Sequence, residues 1–526
     1  MPHASAPHPV LLQVFKNRFA SVAEEMGVTL TRTGYSPNIK ERRDLSCAVF
    51  DARGEMIAQA AHIPVHLGSM PLSVQAAIKD CPLAPGDMAM LNDPFHGGTH
   101  LPDVTLVAPV YDPAGGDRPA FYVANRAHHA DIGGMAPGSM PLSTSLFQEG
   151  LVIPPVTIVR AGEIVPDVMR LVLANVRTPR EREGDFSAQI MANTTGVRRM
   201  EELMRAHGQP QVAFYANALN DYTETVMRQT IRAIPDGCYH FQDLLDGDGQ
   251  QATDIPIRLD LTINGDAAHL DFTNSAPQTP GCVNAVRAIT LSATLYVLRC
   301  LAGQDIPANA GCMRPVTVST TPGTIVDARF PAAVAGGNVE TSQRIVDTIL
   351  GALAQAVPDA IPAASQGTMN NTAIGGTDPR TGYPFAYYET LAGGMGASTQ
   401  GPGESAVHSH MTNTLNTPVE ALEYAYPLRV CEYSVRRGSG GQGKFPGGDG
   451  LVREIELLAP CEITVLSERR THAPWGLKGG QPGSPGHNVL TQNNTQKSMP
   501  PKFHAHAGPG DTLRLETPGG GGYGQR

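Results

Sequence analysis

The sequence has no CxxC pair among its eight cysteines, Cys47, Cys81, Cys238, Cys282, Cys300, Cys312, Cys431 and Cys461. That scatter excludes a zinc ribbon and offers no disulfide framework, so reduced and mostly buried thiols are expected. Nowhere do eighteen apolar residues run together, and no membrane-spanning helix is expected. The opening MPHASAPHPVLLQVFKNRF has no basic start followed by a long apolar run, which reads as a cytoplasmic chain without a leader. Positive charge is in short supply as well. With 39 Lys+Arg against 49 Asp+Glu, the net of -10 at pH 7 argues against holding nucleic acid by neutralising phosphates. No repeat of fixed period points to a solenoid or propeller. No GxSxG elbow and no cysteine in an activating context support covalent catalysis.

What is present is length and punctuation. A chain of 526 residues exceeds one ordinary core, so two to four domains or a large elaborated α/β body is expected. Its 56 glycines and 44 prolines lie above the average share but below the disordered range, and so mark many ordered turns. Helical spacing of Leu11, Val14, Phe15, Phe19, Val22 and Met26 predicts an amphipathic helix over 9–32. LSCAVFDARGEMIAQ reads as strand, turn and strand, and a helix is expected over about 72–79. VTLVAPVY is expected to pair with RPAFYVANRAHH. Residues 183–234 read as mainly helical, and 239–276 alternate around an Asn264-Gly265-Asp266 hairpin signal. Helices are expected again at 284–301 and 341–357, with β-type segments and glycine loops from about Leu428. The fold class expected is mixed α/β (α+β) and multidomain, divided as 1–235, 236–427 and a glycine-rich, mainly β 428–526.

The chemistry concentrates in LNDPFHGGTHLPDVTLVAPVY, residues 91–111. Pro102 disfavours helix at Leu101 and Gly97-Gly98 permits a tight turn, so His100 and Asp103 are expected on a loop entering a strand. The partner strand ends in HHAD, which brings His128, His129 and Asp131. Asp44, in ERRDLSCAVFD, could add a carboxylate from a third segment. Two imidazoles with one or two carboxylates suit Zn, Mn or Fe(II) better than Ca or Mg, and an open position would make the ion a Lewis acid. The competing reading is that such residues only satisfy backbone groups in turns. His96, just before the glycine pair, fits a supporting or structural role better than a ligand's.

Other candidates carry less. GSGGQGKF at 438–445 nearly spells a phosphate loop after the strand-like EYSVRR. However, Phe445 replaces the Mg-binding hydroxyl, and Pro446-Gly447-Gly448 removes the helix that would face the phosphates. A tight glycine turn is expected there, and no ATP site in this chain alone. His408 with His410, and His504 with His506, read as surface or hydrogen-bonded loop residues. Glu389 and Glu423 are possible acid/base groups not distinguishable from ion pairs.

Together, in order, NDPFHGGTHLPDV, RAHHADIGG, NVRTPREREGDFSAQ, SGGQGKFPGGDG and TPGGGGYG resemble the hydantoinase B/oxoprolinase family over nearly the whole chain. The resemblance implies a subunit of an ATP-dependent enzyme opening hydantoins, 5-oxoproline or other lactams. It would work in a hetero-oligomer with an ATP-binding hydantoinase A-type subunit that uses the ATP. One divalent transition metal (Zn, Mn or Fe) would be held by Asp44, His100, Asp103 and His128, with His129 as the alternative ligand and, where not a ligand, the catalytic group. Related ketone carboxylases make carboxylation the first rival reading, and the chain's shorter length tilts toward amide hydrolysis. A non-catalytic scaffold is the second. No nucleic acid or membrane partner is implied.

Overall fold

Pro9–Thr33 forms the first helix, α1, opened by a proline whose fixed φ suits the first turn. It buries Phe15, Phe19, Val22, Met26 and Leu30 as one stripe. The computed structural model describes residues 6–60, 62–303 and 306–526, so the first five residues of the opening stretch lie outside the described residues. Further helices are α2 (Met70–Asp80), α3 (Pro179–His207), α4 (Gln209–Arg232), α5 (Arg287–Ala302) and α6 (Ser342–Ala356). Each falls where apolar spacing predicts one. Among the described residues no helix is long and apolar enough to cross a membrane.

The first sheet contains β1 (Leu45–Asp51), β2 (Met56–Gln59), β3 (Met88–Leu91), β4 (Asp103–Val110), β5 (Phe121–His128), β6 (Val156–Arg160) and β7 (Glu163–Ile164), in the order β2-β1-β5-β4-β3-β6-β7. All its pairs are antiparallel. Every residue of β4 and β5 is buried because both faces are covered. The side chain of Asn125 reaches Gln189 on α3, while that of its neighbour Arg126 reaches Ser69 and Ser73 at the start of α2. Alternation along a strand therefore puts α3 on one face and α2 on the other.

The second sheet joins β8 (Gly237–Gly247), β9 (Thr253–Asn264), β10 (Ala267–Asp271) and β11 (Val316–Ser319) in the order β11-β10-β9-β8. Its β9–β10 hairpin turns at the expected place, with Gly265 at φ +60° and Asn264 opposite Ala267. The remaining strands are β12 (Asn371–Thr377), β13 (Pro384–Glu389), β14 (Leu428–Arg436), β15 (Gly450–Leu457), β16 (Cys461–Leu466), β17 (His487–Gln492), β18 (Thr495–Met499), β19 (Lys502–Ala507) and β20 (Thr512–Glu516). They make a sheet β13-β12-β16-β19 and a sheet β14-β15-β20-β17-β18. The former takes two strands from either side of position 427, so backbone pairing joins the 428–526 segment to 371–389. The fold is thus mixed α/β with several sheets, as the sequence pattern predicts.

The phosphate-loop lookalike follows β14 as an irregular glycine turn, and residues 446–449 lead into β15 rather than a helix. It packs against the C-terminal tail. Gly520 and Gly521 donate backbone hydrogen bonds to Gly448 and Ala364, and a Cβ on either would sit 2.1 Å from the carbonyl oxygen of Met395 or Trp475. The glycines here are needed for backbone to approach backbone. All eight cysteines are free thiols.

Candidate metal centre

The glycine pair does what the sequence requires of it. Gly97 has φ +92° and lies where a Cβ would meet the Leu72 carbonyl on α2 at 2.5 Å. Ser73 Oγ donates to its carbonyl at 2.6 Å, and Asn92 Nδ2 donates to the Leu101 carbonyl at 2.8 Å. The loop is thereby pinned on the α2 side of the sheet. Asp103 begins β4 directly opposite His128, the last residue of β5.

His100 Nε2 and His128 Nδ1 each lie 3.3 Å from the same oxygen, Oδ1 of Asp103. The other oxygen, Oδ2, accepts from Thr99 Oγ1 at 2.8 Å and faces His66 Nε2 at 3.3 Å. All four of these partners are buried. Ligand atoms of His100, Asp103 and His128 lie within 4.8 Å of one another. Two ligands bonded at the usual Zn distances and a tetrahedral angle stand about 3.3 Å apart, so the donor set fits one small divalent ion. The wall around them encloses about 10 Å³, enough for one water-sized particle.

The surroundings orient each donor. The Tyr388 ring stacks on His128 at 4.2 Å between centroids. Asn38 Nδ2 holds the His128 carbonyl, and the His128 backbone N–H donates to the Asp44 carbonyl at 3.0 Å. Asn338 Nδ2 stands 3.0 Å from His100 Nε2, and Ser46 Oγ stands 2.9 Å from His66 Nδ1. Ser46, on the His66 nitrogen that points away from Asp103, is the kind of outer partner that fixes ring orientation around metal sites, whereas Asn338 meets the same His100 nitrogen that faces Asp103. Burial alone would raise the Asp103 carboxyl, yet the His100 and His66 charges and hydrogen bonds from His100 and His128 hold it well below its ordinary range. Burial lowers His128 despite the opposing pull of Asp103 and Asp44, which favours the neutral imidazole a metal requires.

The remaining sequence candidates fall in different places. Asp44 lines the same cavity with its carboxylate 3.7 Å from the Arg42 guanidinium, outside the three-residue cluster. His129 turns to the opposite face, where Nε2 meets Gln189 Oε1 at 2.9 Å and the ring stacks on Phe186 of α3. Burial and the nearby Arg182 lower it to about 4. Asp131 pairs with Arg177 at 2.8 Å, and His96 is exposed and bonded to Asp93 at 2.7 Å. Glu389 is buried against Tyr387 and Arg453, and Glu423 accepts from the Val430 N–H. His504 and His506 are solvent-facing on β19. His66, Thr99, Asn338 and Tyr388 were not among the sequence candidates. Thr99 lay inside the motif itself, and His66 in IPVHLG shares the proline-flanked turn context of His100.

Comparison with known proteins places the chain. The hydantoinase B/oxoprolinase family model matches residues 8–526. The chain belongs to that family. It is 40% identical to a 5-oxoprolinase of Dictyostelium discoideum over 98% of this chain, but spans only 40% of that protein. A putative D-/L-hydantoinase subunit of a Pseudomonas species is 31% identical, with 98% and 90% of the two chains covered. The crystal structure of an ATP-dependent caprolactamase from Pseudomonas jessenii superposes with a TM-score of 0.91 at 29% identity, covering 99% of this chain and 91% of the other. An acetone carboxylase chain shares the fold alone, with a TM-score of 0.90 at 18% identity over 98% of this chain and 76% of its own. This hydantoinase B/oxoprolinase chain thus has relatives both as separate subunits and as portions of longer polypeptides.

Proposed function

We propose that this chain is the metal-holding B-type part of an ATP-dependent cyclic-amide hydrolase, working with an A-type partner that handles ATP. One observation carries the reading: two imidazoles converge on one oxygen of a buried carboxylate, whose second oxygen is separately held. His100, Asp103 and His128 would hold the ion, with Asp44 as a further carboxylate on the cavity wall. When bound, a Zn, Mn or Fe(II) ion supplies Lewis acidity toward a ring carbonyl.

This chain's own residues prepare that chemistry. Asp103 offers a fixed negative charge, Thr99 and His66 keep its second oxygen occupied, and Tyr388 sets the plane of the His128 imidazole. Burial of the whole set keeps bulk water away from the donor atoms. The 438–445 loop, with Phe445 in place of the Mg-binding hydroxyl and no helix after it, fits ATP being handled by the partner. So does the chain's span of about two fifths of the Dictyostelium relative, the rest of which it does not match.

The test is co-purification with an A-type partner, followed by elemental analysis and an ATP-dependent ring-opening assay on a lactam, a hydantoin and 5-oxoproline. Metal retention with ring opening supports the reading. Bicarbonate-dependent carboxylation of a ketone by the same complex, without ring opening, would replace it.

A further inference from the structure

The cluster's cavity of about 10 Å³ takes one water-sized particle, so an ion and a substrate group cannot share it as it stands. Some part of its wall has to move. Most of that wall is anchored. Asp103, His128 and Tyr388 stand on β4, β5 and β13, and Val339 belongs to the turn in which Gly337 packs on the Asn284 carbonyl. Ile63, Val65 and His66 lie along one short turn, tied by the Ile63 N–H to Ser46 Oγ at 3.3 Å and by the Gly68 N–H to Ser292 Oγ at 3.0 Å.

The stretch carrying Thr412 and Thr414 is different. It is a wall one residue thick: both threonines are buried and line the cluster's cavity, while Asn413 between them is exposed and lines three larger cavities of about 570, 420 and 510 Å³. Residues 408–417 lie in neither helix nor strand. Their middle is held loosely. The Val65 N–H reaches the Met411 carbonyl at 3.3 Å, the Thr412 N–H reaches that of Ser409 at 3.4 Å, and Asn413 Nδ2 reaches that of His62 at 3.4 Å, all at the long end of hydrogen bonding.

The two ends are tied more firmly. Gln343 Nε2 of α6 donates to the Ser409 carbonyl at 3.1 Å, Thr414 Oγ1 pairs with Thr390 Oγ1 at 2.9 Å, and the Leu415 N–H donates to the Arg42 carbonyl at 3.0 Å. Just inside the first tie His410 holds φ +57°, a strained backbone position that a hinge can occupy. Met411, fully buried, keeps the middle shut.

We propose that Ser409–Thr414 is a gate whose centre, Met411 to Asn413, swings outward into the three larger cavities, joins them to the cluster and so admits substrate. This rests on the metal-centre reading above and adds how its buried donors are reached.

The experiment locks and loosens the segment. Thr390→Cys with Thr414→Cys puts two thiols where hydroxyl oxygens pair, able to join on oxidation, and Met411→Ala removes the side chain that holds the centre in place. The full chain is loaded with Mn(II), which thiols bind weakly. Loss of Mn(II) to EDTA should be at least tenfold slower in the oxidised than in the reduced double variant, and at least threefold faster in Met411→Ala than in wild type. Deuterium exchange at the Val65 N–H, whose acceptor is the Met411 carbonyl, should shift in the same directions. Equal rates for the oxidised and reduced forms, with Met411→Ala at the wild-type rate, overturn the proposal. Where the disulfide does not form, Met411→Ala decides alone. A chain that keeps no Mn(II) counts against the metal-centre reading, and exchange at Val65 then judges the gate by the same comparisons. In the assembled complex ring opening should fall at least tenfold on oxidation and return on reduction, and full turnover in the oxidised form also overturns the gate.

Discussion

The two oxygens of Asp103 do different work, and that division yields the first prediction. Oδ1 faces His100 and His128, whereas Oδ2 is held by Thr99 and His66. Replacing His100 or Asp103 by alanine should abolish binding of the proposed ion and reduce turnover by at least about a hundredfold. His66→Gln should weaken metal affinity by about 10–100-fold while leaving some activity, as outer partners do. Metal content by elemental analysis, read beside kcat, checks both. His129→Gln is expected to leave metal content intact, because its ring lies on the α3 face.

A second residue gives a pH prediction. Burial pushes the Glu340 carboxyl up from 4.5 to about 8, opposed by Thr368 and Lys502 and reinforced by Glu468. The folded chain therefore keeps a proton that the unfolded chain has released above about pH 4.5. This group's contribution to stability is complete below pH 4.5 and is lost as pH rises through about 8. Glu340→Gln should flatten that dependence, so urea unfolding at pH 8.5 should favour the variant relative to wild type more than at pH 5.

At the scale of elements, the turn ahead of α6 matters most. Gly337–Thr341 forms a wide helical turn that carries Asn338 to His100, and a Cβ on Gly337 would lie 1.9 Å from the Asn284 carbonyl oxygen. Gly337→Ala should lower stability by about 1–3 kcal/mol through overpacking. It should also weaken metal binding, measurable as a lower melting temperature with reduced metal content.

The elements show which parts of this site the sequence displays. Period and turn chemistry revealed β4 and β5, and the HGGTHLPD stretch disclosed His100 and Asp103 because glycine and proline declare a loop locally. Which histidine of the HHAD pair faces Asp103 is a question of register. Register is set by the pairing of Asp103 with His128 across two strands, and no single-strand pattern contains it. His66 and Asn338 reach the site from segments distant in sequence, so they had no spacing to reveal them.

For the whole molecule, the two sides of position 427 are not independent, since β12 and β13 pair into a sheet with β16 and β19. The glycine turn at 438–445 joins β14 to β15 and packs on the C-terminal tail, where the Gly441 and Phe445 N–H groups donate to the Gly520 and Tyr523 carbonyls. Lys444→Ala should accordingly leave the ATP dependence of the assembled complex within about twofold of wild type, and the chain alone should give no heat on titration with ATP. A large loss of ATP affinity in that variant would restore a phosphate-binding role to the loop.

The interleaved tail also bears on how this protein can vary. At Gly394, Gly403, Gly447, Gly448, Gly519 and Gly520 any side chain would collide with a backbone oxygen at 1.9–2.1 Å, whereas Gly116 and Gly508 have room around them and no left-handed φ. Tolerance to random mutagenesis should therefore split sharply by position. One set of glycines would be nearly immutable for purely steric reasons and the other free to drift, so invariance in the tail would report crowding rather than chemistry.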